Sequence, residues 1–453
     1  MTTTAGTNKN YTLPIIMMII LFGMISFVTG LGGPFGVIMK DQFKASDAMS
    51  QLGTFANFIA YAFMGIPSGL LLRKIGYKKT ALLAIIVGFV GVAIQYMSGA
   101  AGSFAIYLAG AFVAGFSMCM LNAVVNPMLN TLGGEGKKGN QLIQVGGTFN
   151  SLNATIVPVL VGYLIGNTTS PTIKDASPAL LIAMGIFALV FFVLYLVHIP
   201  EPHAEVDVAA KTGVKDKHSA LSFRHFVLGA VGIFIYVGVE VGIPNFINLF
   251  MTQSTDKGGL GIGTTIAGSV VGTYWFLMLI GRLVGASIGA KVSSKAMLVF
   301  ASGLGLVFVI AAILYPISSI VNMPVFKSEG GSLSFGMAEV PVSMMLLVLC
   351  GLCTSIMWGG IFNLAVEGLG KYIKMASGIF MVMVCGGGIV PWIQGQVSDI
   401  AGYIPSYWVI VVCMAYLLYY ALVGSKNVNT DIPVGVMTTD DNISAGEDAK
   451  DVI

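Results

Sequence analysis

The chain of 453 residues is 56% hydrophobic and 9% charged, with a mean hydropathy of +0.88. A soluble domain carries about 25% charged residues, so this composition excludes a soluble protein and implies an integral membrane one. The net charge of +3 is small and no Lys/Arg cluster with interleaved aromatics occurs, which sets nucleic acid aside as a partner.

The chain begins with a short polar stretch, MTTTAGTNKN. The apolar run from Tyr11 to Thr29 is too long for a signal-peptide core and lacks a small-residue cleavage site, so it reads as a first span. Apolar runs of roughly 20 residues mark transmembrane helices. Twelve are expected, at 12–39, 49–72, 80–98, 104–131, 141–166, 178–199, 225–252, 261–290, 296–321, 340–367, 375–400 and 404–424. The longest polar connection, EPHAEVDVAAKTGVKDKHSALSFRH, separates the sixth from the seventh. The expected organisation is a six-helix half at 1–200, a cytoplasmic linker at 201–224, a second six-helix half at 225–424 and a disordered cytoplasmic tail at 425–453.

Lys and Arg fix the expected orientation. With both ends inside, the inner connections hold 14 of them, from Arg73 and Lys74 to Lys371 and Lys374. The outer connections hold five: Lys40, Lys44, Lys174, Lys257 and Lys327. The halves also repeat. GIPSGLLLRKIGYKKTALL (Gly65–Leu83) aligns without gaps with GRLVGASIGAKVSSKAMLV (Gly281–Val299), each joining the second and third helices of its half. Two such halves with matching inner loops describe a secondary transporter whose site lies between them, near the midplane.

Glu240 is the only formal charge between Arg224 and Asp256. A carboxylate at mid-bilayer costs about 2.5–3.5 kcal/mol on insertion scales, and such acids mark substrate or ion pathways. It suits uptake and release of a proton or cation, and it accepts hydrogen bonds from hydroxyl groups. The structural alternative is an acid satisfied by Tyr236 or by backbone. Pro244 follows at i+4 and Asn248 at i+8 on one face. The proline frees the carbonyl of Glu240, so an interrupted, ligand-lining helix is expected there.

Other polar residues sit at helical spacing. Asn122, Asn126 and Asn130 form a stripe on the fourth helix; Gln141, Gln144, Thr148 and Ser151 form one on the fifth, with Asn150 and Asn153 nearby. Asn and Gln donate and accept, which matches sugar hydroxyls, but they also serve as interhelical glue. Trp358, Trp392 and Gln394 are candidates to line a cavity, as is Asn363 at its inner mouth; Trp408 reads as an interfacial anchor. Arg282 and Glu367, each near an inner helix end, read as a charge pair, and Arg73 and Lys74 join them as a cytoplasmic gate. The five cysteines all lie in apolar runs, and CGLC at Cys350–Cys353 reads as small core residues. No His and acid groups share a metal spacing, and GGEGKKGN lacks the setting of a phosphate loop, so neither metal, cofactor nor ATP drive is expected.

Several stretches resemble a known family. The loop GLLLRKIGYKK resembles the signature loop of the major facilitator superfamily. NPMLNTLGGEGKKGNQLIQVGGTFNSLNATIVP (Asn126–Pro158), YVGVEVG (Tyr236–Gly242), LAVEGLG (Leu364–Gly370) and GGGIVPWIQGQVSDIAG (Gly386–Gly402) resemble the bacterial fucose and glucose/galactose permeases, the glucose/galactose branch most of all. The resemblance implies an all-helical monomer in the bacterial inner membrane that moves a sugar by alternating access with a proton or sodium ion. Two positions depart from the pattern. An Asn-Asp pair late in helix one of the fucose branch corresponds to Gly32 and Gly33, and a family Glu or Gln in helix four corresponds to Asn122. These changes remove polar groups tied to coupling and sugar contact. An uncoupled facilitator or exchanger and a non-transporting sugar sensor therefore stand as alternatives. An exporter of organic anions is disfavoured by the midplane acid and by the expected lack of a midplane Arg or Lys.

Overall fold

The computed structural model describes residues 11–132, 137–166, 171–201, 218–288, 291–329 and 332–434. Most of the expected linker, and the tail beyond residue 434, lie outside these residues. Twelve helices among them are long and apolar enough to cross a membrane. Spans 1 to 6 are Thr12–Phe43, Leu52–Ile75, Tyr77–Ala101, Phe104–Leu129, Val145–Ile165 and Ser177–Leu196. Spans 7 to 12 are Arg224–Thr252, Thr264–Gly285, Ser294–Leu314, Val342–Val366, Met375–Ala401 and Tyr403–Gly424. With twelve crossings among the described residues, residues 11 and 434 lie on one side, here called the near side; the opposite is the far side.

Four spans are broken where one helix was expected; span 12 divides at Tyr407 into Tyr403–Ser406 and Trp408–Tyr419. Span 1 is interrupted at Leu31, between helices Thr12–Gly30 and Gly32–Phe43. Span 10 divides into Val342–Thr354 and Met357–Val366, and span 11 into Ile373–Met383 and Gly386–Ala401. The restart of span 11 at Gly386 brings its backbone against span 7, where a Cβ would overlap the Phe234 carbonyl. Span 7 goes the other way. It runs unbroken through Pro244, so the expected interruption is absent. The proline does leave the Glu240 carbonyl without its helical donor. The Tyr274 hydroxyl of span 8 supplies one at 3.3 Å, which lets the helix continue.

One element was not expected at all. Between spans 9 and 10, strands β1 (Ile320–Glu329) and β2 (Ser332–Pro341) form an antiparallel hairpin on the far side. Gly330-Gly331 between two alternating segments is its sequence signal. Met323, Val325, Ala338 and Val340 face inward and are buried. Phe326 and Phe335 pair across the strands at 4.4 Å and meet Phe276 of span 8. The Phe326 N–H donates to Thr273 Oγ1 at 3.4 Å. β1 also touches span 5, so a hairpin belonging to the second half rests on the first.

The halves meet along two seams, span 5 with span 8 and span 2 with span 11. On the far side of the first, Thr264 Oγ1 donates to Gly166 O at 2.5 Å and Thr265 Oγ1 to Gly162 O at 3.3 Å. A Cβ on Gly268 would meet the Pro158 carbonyl at 2.5 Å, so glycine permits this approach. Beside the second seam, Asp47 accepts bonds from Lys40, from Ser398 Oγ at 2.6 Å and from Tyr403 Oη at 3.0 Å. Asp399 accepts the backbone N–H groups of Asp47 and Ala48 at 2.6 and 3.0 Å. Deeper in, Asn245 of span 7 donates to Gln51 Oε1 of the first half at 2.9 Å. These bonds close the far side.

Candidate functional site

Glu240 is the seventeenth residue of the 29-residue span 7, about 24 Å along it at 1.5 Å per residue. That is near the middle of the bilayer, as expected. Its partner is not. Arg282 Nη2 lies 3.3 Å from Glu240 Oε1, and Arg282 Nη1 donates to the Gly147 carbonyl of span 5 at 2.9 Å. The charge pair expected between Arg282 and Glu367 is therefore absent, and Arg282 leaves the gate group. Helical side chains lean toward the helix N-terminus, which for span 8 is the far side. Arg282 begins near the near-side end and climbs along its own stem to the midplane. Arg282 thus places a base at the midplane, where none was expected. Glu367 ends its helix exposed, with its main-chain oxygen 2.9 Å from His225 Nε2.

The Glu240 and Arg282 side chains keep 15% and 18% of their surface accessible although they lie mid-span. That combination leaves the pair within reach of a ligand. Tyr236, one turn before Glu240 on the same face, buries its hydroxyl beside Glu240 and Arg282. The Trp358 ring of span 10 stands 6.2 Å from the Tyr236 ring. Tyr274 joins its bond to the Glu240 carbonyl with one to Thr354 Oγ1 at 3.1 Å, fixing spans 7, 8 and 10 to one another.

The other expected residues divide. Asn122 Nδ2 donates to Tyr61 Oη at 3.0 Å and Asn126 Nδ2 to the Asn122 carbonyl at 3.1 Å, and both remain partly exposed. Asn150 Nδ2 is committed to the Phe22 carbonyl at 3.0 Å, while its own carbonyl accepts from Ser26 at 2.7 Å. It ties span 5 to span 1, the interhelical role weighed against sugar contact. The Gln144 side chain lies outside the described residues. Asn248 is buried in a far-side crevice with Pro34, Pro158 and Thr264, away from Glu240. Gln394 is fully buried between Ser406, 3.4 Å away, and Gly242, so it lines the second half's interior and no cavity. The Trp392 ring lies tilted against Phe55, 6.0 Å away, on the span 2–span 11 seam. Asn363 is exposed and donates to Ser294 Oγ at 3.4 Å. Arg73 and Lys74 are exposed at the near-side end of span 2. Below them Glu201 accepts the N–H groups of Tyr77 and Lys78 at 2.7 and 3.1 Å, which binds that loop within the first half.

Gly32 and Gly33, the positions that depart from the fucose pattern, face the seam. A Cβ on Gly32 would lie 2.7 Å from Thr54 Oγ1, and one on Gly33 2.9 Å from Asn245 Oδ1. There is no room for an Asn-Asp pair; Asn245, missed in the sequence, fills that place from span 7. Tyr236 was legible as the residue one turn from Glu240. Asn245 gave no signal, since its partner Gln51 is 194 positions away. One neutralised charge pair, amides, a phenol and an indole suit an uncharged polyhydroxyl ligand.

Known proteins resemble the chain in sequence and in fold. A sequence model described as the Major Facilitator Superfamily matches residues 16–391. A glucose/galactose transporter of Brucella abortus is 30% identical over 428 residues, covering 94% of this chain and 97% of that protein. The L-fucose-proton symporter of Escherichia coli is 24% identical over 440 residues, covering 92% and 94%. The crystal structure of the E. coli fucose:proton symporter superposes with a TM-score of 0.62 at 20% identity, over 92% of this chain and all of that one. The twelve spans, their division into two halves and these matches together make the chain a transporter of the Major Facilitator Superfamily, in the group of the fucose and glucose/galactose permeases.

Proposed function

We propose that this chain imports a monosaccharide, a hexose such as glucose or galactose, by alternating access, and that a proton or sodium gradient drives it through Glu240. The near side is the cytoplasm, as the excess of Lys and Arg in its connections indicates. The observation that carries the reading is Glu240 at mid-span, partly accessible and paired with Arg282, beside Tyr236 and Trp358. The names of the relatives support a sugar as the cargo. Arg73, Lys74 and Glu367 are the near-side gate in this reading; Asn122, Asn126, Trp358 and Glu240 are the sugar contacts.

The test is uptake into proteoliposomes. Glu240→Gln is expected to lose accumulation against a gradient while counterflow exchange of hexose persists. Continued accumulation by Glu240→Gln would falsify the coupling role. An uncoupled exchanger is the second reading, favoured by Arg282, which already neutralises Glu240, and by the glycines at 32 and 33. Imposed pH or sodium gradients that leave uptake by the unaltered protein unchanged would establish it.

A further inference from the structure

Arg282 is bonded on both sides of the seam between the halves. Its Nη2 holds Glu240 of span 7 at 3.3 Å, within its own half. Its Nη1 holds the Gly147 carbonyl of span 5 at 2.9 Å, in the other half. The other cross-half bonds described above lie toward the far side; this one lies at the depth of the proposed site. A planar guanidinium can satisfy two acceptors only in a fixed orientation. Whatever sets the charge on Glu240 thus acts on the contact between the halves.

We propose that Arg282 is a positioning residue that couples the charge on Glu240 to the closure of the span 5–span 8 seam. This rests on the reading of Glu240 as the coupling acid. With Glu240 anionic, the ion pair pins the guanidinium where it also reaches Gly147. When Glu240 takes up a proton, a charge-assisted bond becomes a bond to a neutral carboxyl, roughly half as strong. The guanidinium is released, the Gly147 bond loses its support, and the seam is free to part. Loss of the proton re-forms the pair and closes it. The charged or titratable groups facing Glu240 are Arg282 and Tyr274 from span 8 and Tyr236 from its own helix; span 5 presents Gly147 and span 10 presents Thr354. Among the described residues, Arg282 makes no second ion pair. Tyr236, whose hydroxyl already lies beside the pair, stays with the carboxyl once Arg282 lets go.

Two measurements test the latch. In the first, spin labels on the near-side ends of spans 5 and 8 report the distance between halves in purified protein, without any sugar. Acidification is expected to lengthen that distance in the unaltered protein and to leave it fixed in Arg282→Gln. Equal pH responses in the two proteins overturn the proposal. In the second, hexose exchange is compared in Arg282→Gln, Arg282→Lys and Glu240→Gln/Arg282→Gln. Arg282→Gln strands a carboxylate and is expected to exchange roughly tenfold more slowly, with KM little changed, as for loss of one charge-assisted bond. The double variant, which removes both charges, is expected to recover most of that loss with a flat pH profile; Arg282→Lys restores the charge and recovers part. A double variant as slow as Arg282→Gln overturns the proposal. If no hexose is exchanged by the unaltered protein, the sugar reading fails, and the distance measurement still decides the latch.

Discussion

Replacing Asp47 by Ala removes the hub of the far-side closure. Its carboxylate is buried, 4% exposed, and accepts two bonds from the opposite half, Ser398 Oγ at 2.6 Å and Tyr403 Oη at 3.0 Å. The third partner, Lys40, is on its own half and can keep Tyr403 Oη, 2.6 Å away. A hydrogen bond to a charged group contributes about 1.5–3 kcal/mol. Taking the lower figure for the two cross-half bonds gives a loss of about 3 kcal/mol from the far-closed state, roughly a 100-fold change in the ratio of closed to open carriers. The bonds of Asp399 to the Asp47 and Ala48 backbone survive the substitution, so the protein is expected to fold. Spin labels at Ala101 and Asp256, both exposed on the far side of opposite halves, read the change as a longer-distance population. The five native cysteines are buried and leave the introduced ones to take the label. Ser398→Ala, which removes one bond, should give a smaller shift in the same direction. An unchanged distance distribution in folded Asp47→Ala protein would show that the cluster does not hold the far side closed.

Other substitutions follow from the same geometry. Gly386→Ala drives a Cβ into the Phe234 carbonyl and should destabilise by about 1–3 kcal/mol, the usual cost of overpacking. Gly69→Ala meets nothing within 4 Å and should stabilise by about 0.5–1 kcal/mol through helix propensity; melting temperatures in detergent separate the two. Asn150→Ala loses its bond to the Phe22 carbonyl and should lower stability by about 1 kcal/mol while leaving the hexose KM unchanged. A KM raised as far as in Asn126→Ala would place Asn150 on the sugar after all. Trp358→Ala removes the ring beside Tyr236 and should weaken hexose binding by about 1–3 kcal/mol without altering pH dependence, as titration calorimetry and uptake would show.

Local signals reached far in this chain because lipid punishes backbone exposure and charge more severely than water does. The twelve spans were legible from length and hydropathy alone, and Glu240 stood out because nothing near it in sequence shares its charge. What escaped was side-chain reach. Arg282 was placed by its Cα near the inner end of span 8, yet four bonds of side chain carry its guanidinium to the midplane and to an acid 42 positions away. Pro244 signalled a break that the Tyr274 hydroxyl prevents, and only the packing of span 8 on span 7 shows that. Asn150 and Gln394 have the residue type of sugar ligands and spend it on neighbouring helices. Residue type told which groups need partners; the fold alone decided whether the partner is a carbonyl or a cavity. The hairpin was missed for a different reason. Its strands hold too few apolar residues to stand out beside twelve hydrophobic spans, although two consecutive glycines between the alternating segments were in view.

An isolated two-stranded hairpin is marginally stable in water, so β1 and β2 depend on the helices beneath them. Their inward residues Met323, Val325, Ala338 and Val340 are covered while the hairpin is seated. Parting the far side withdraws span 5 and leaves the hairpin on spans 8 and 10 of its own half. The ladder of amides from Ile320 to Glu329 and from Ser332 to Pro341 then becomes a built-in clock of the transport cycle. Its hydrogen exchange slows when carriers rest with the far side shut and quickens as they open, so the state of the unlabelled, unmutated protein can be read from one peptide in a mass spectrum.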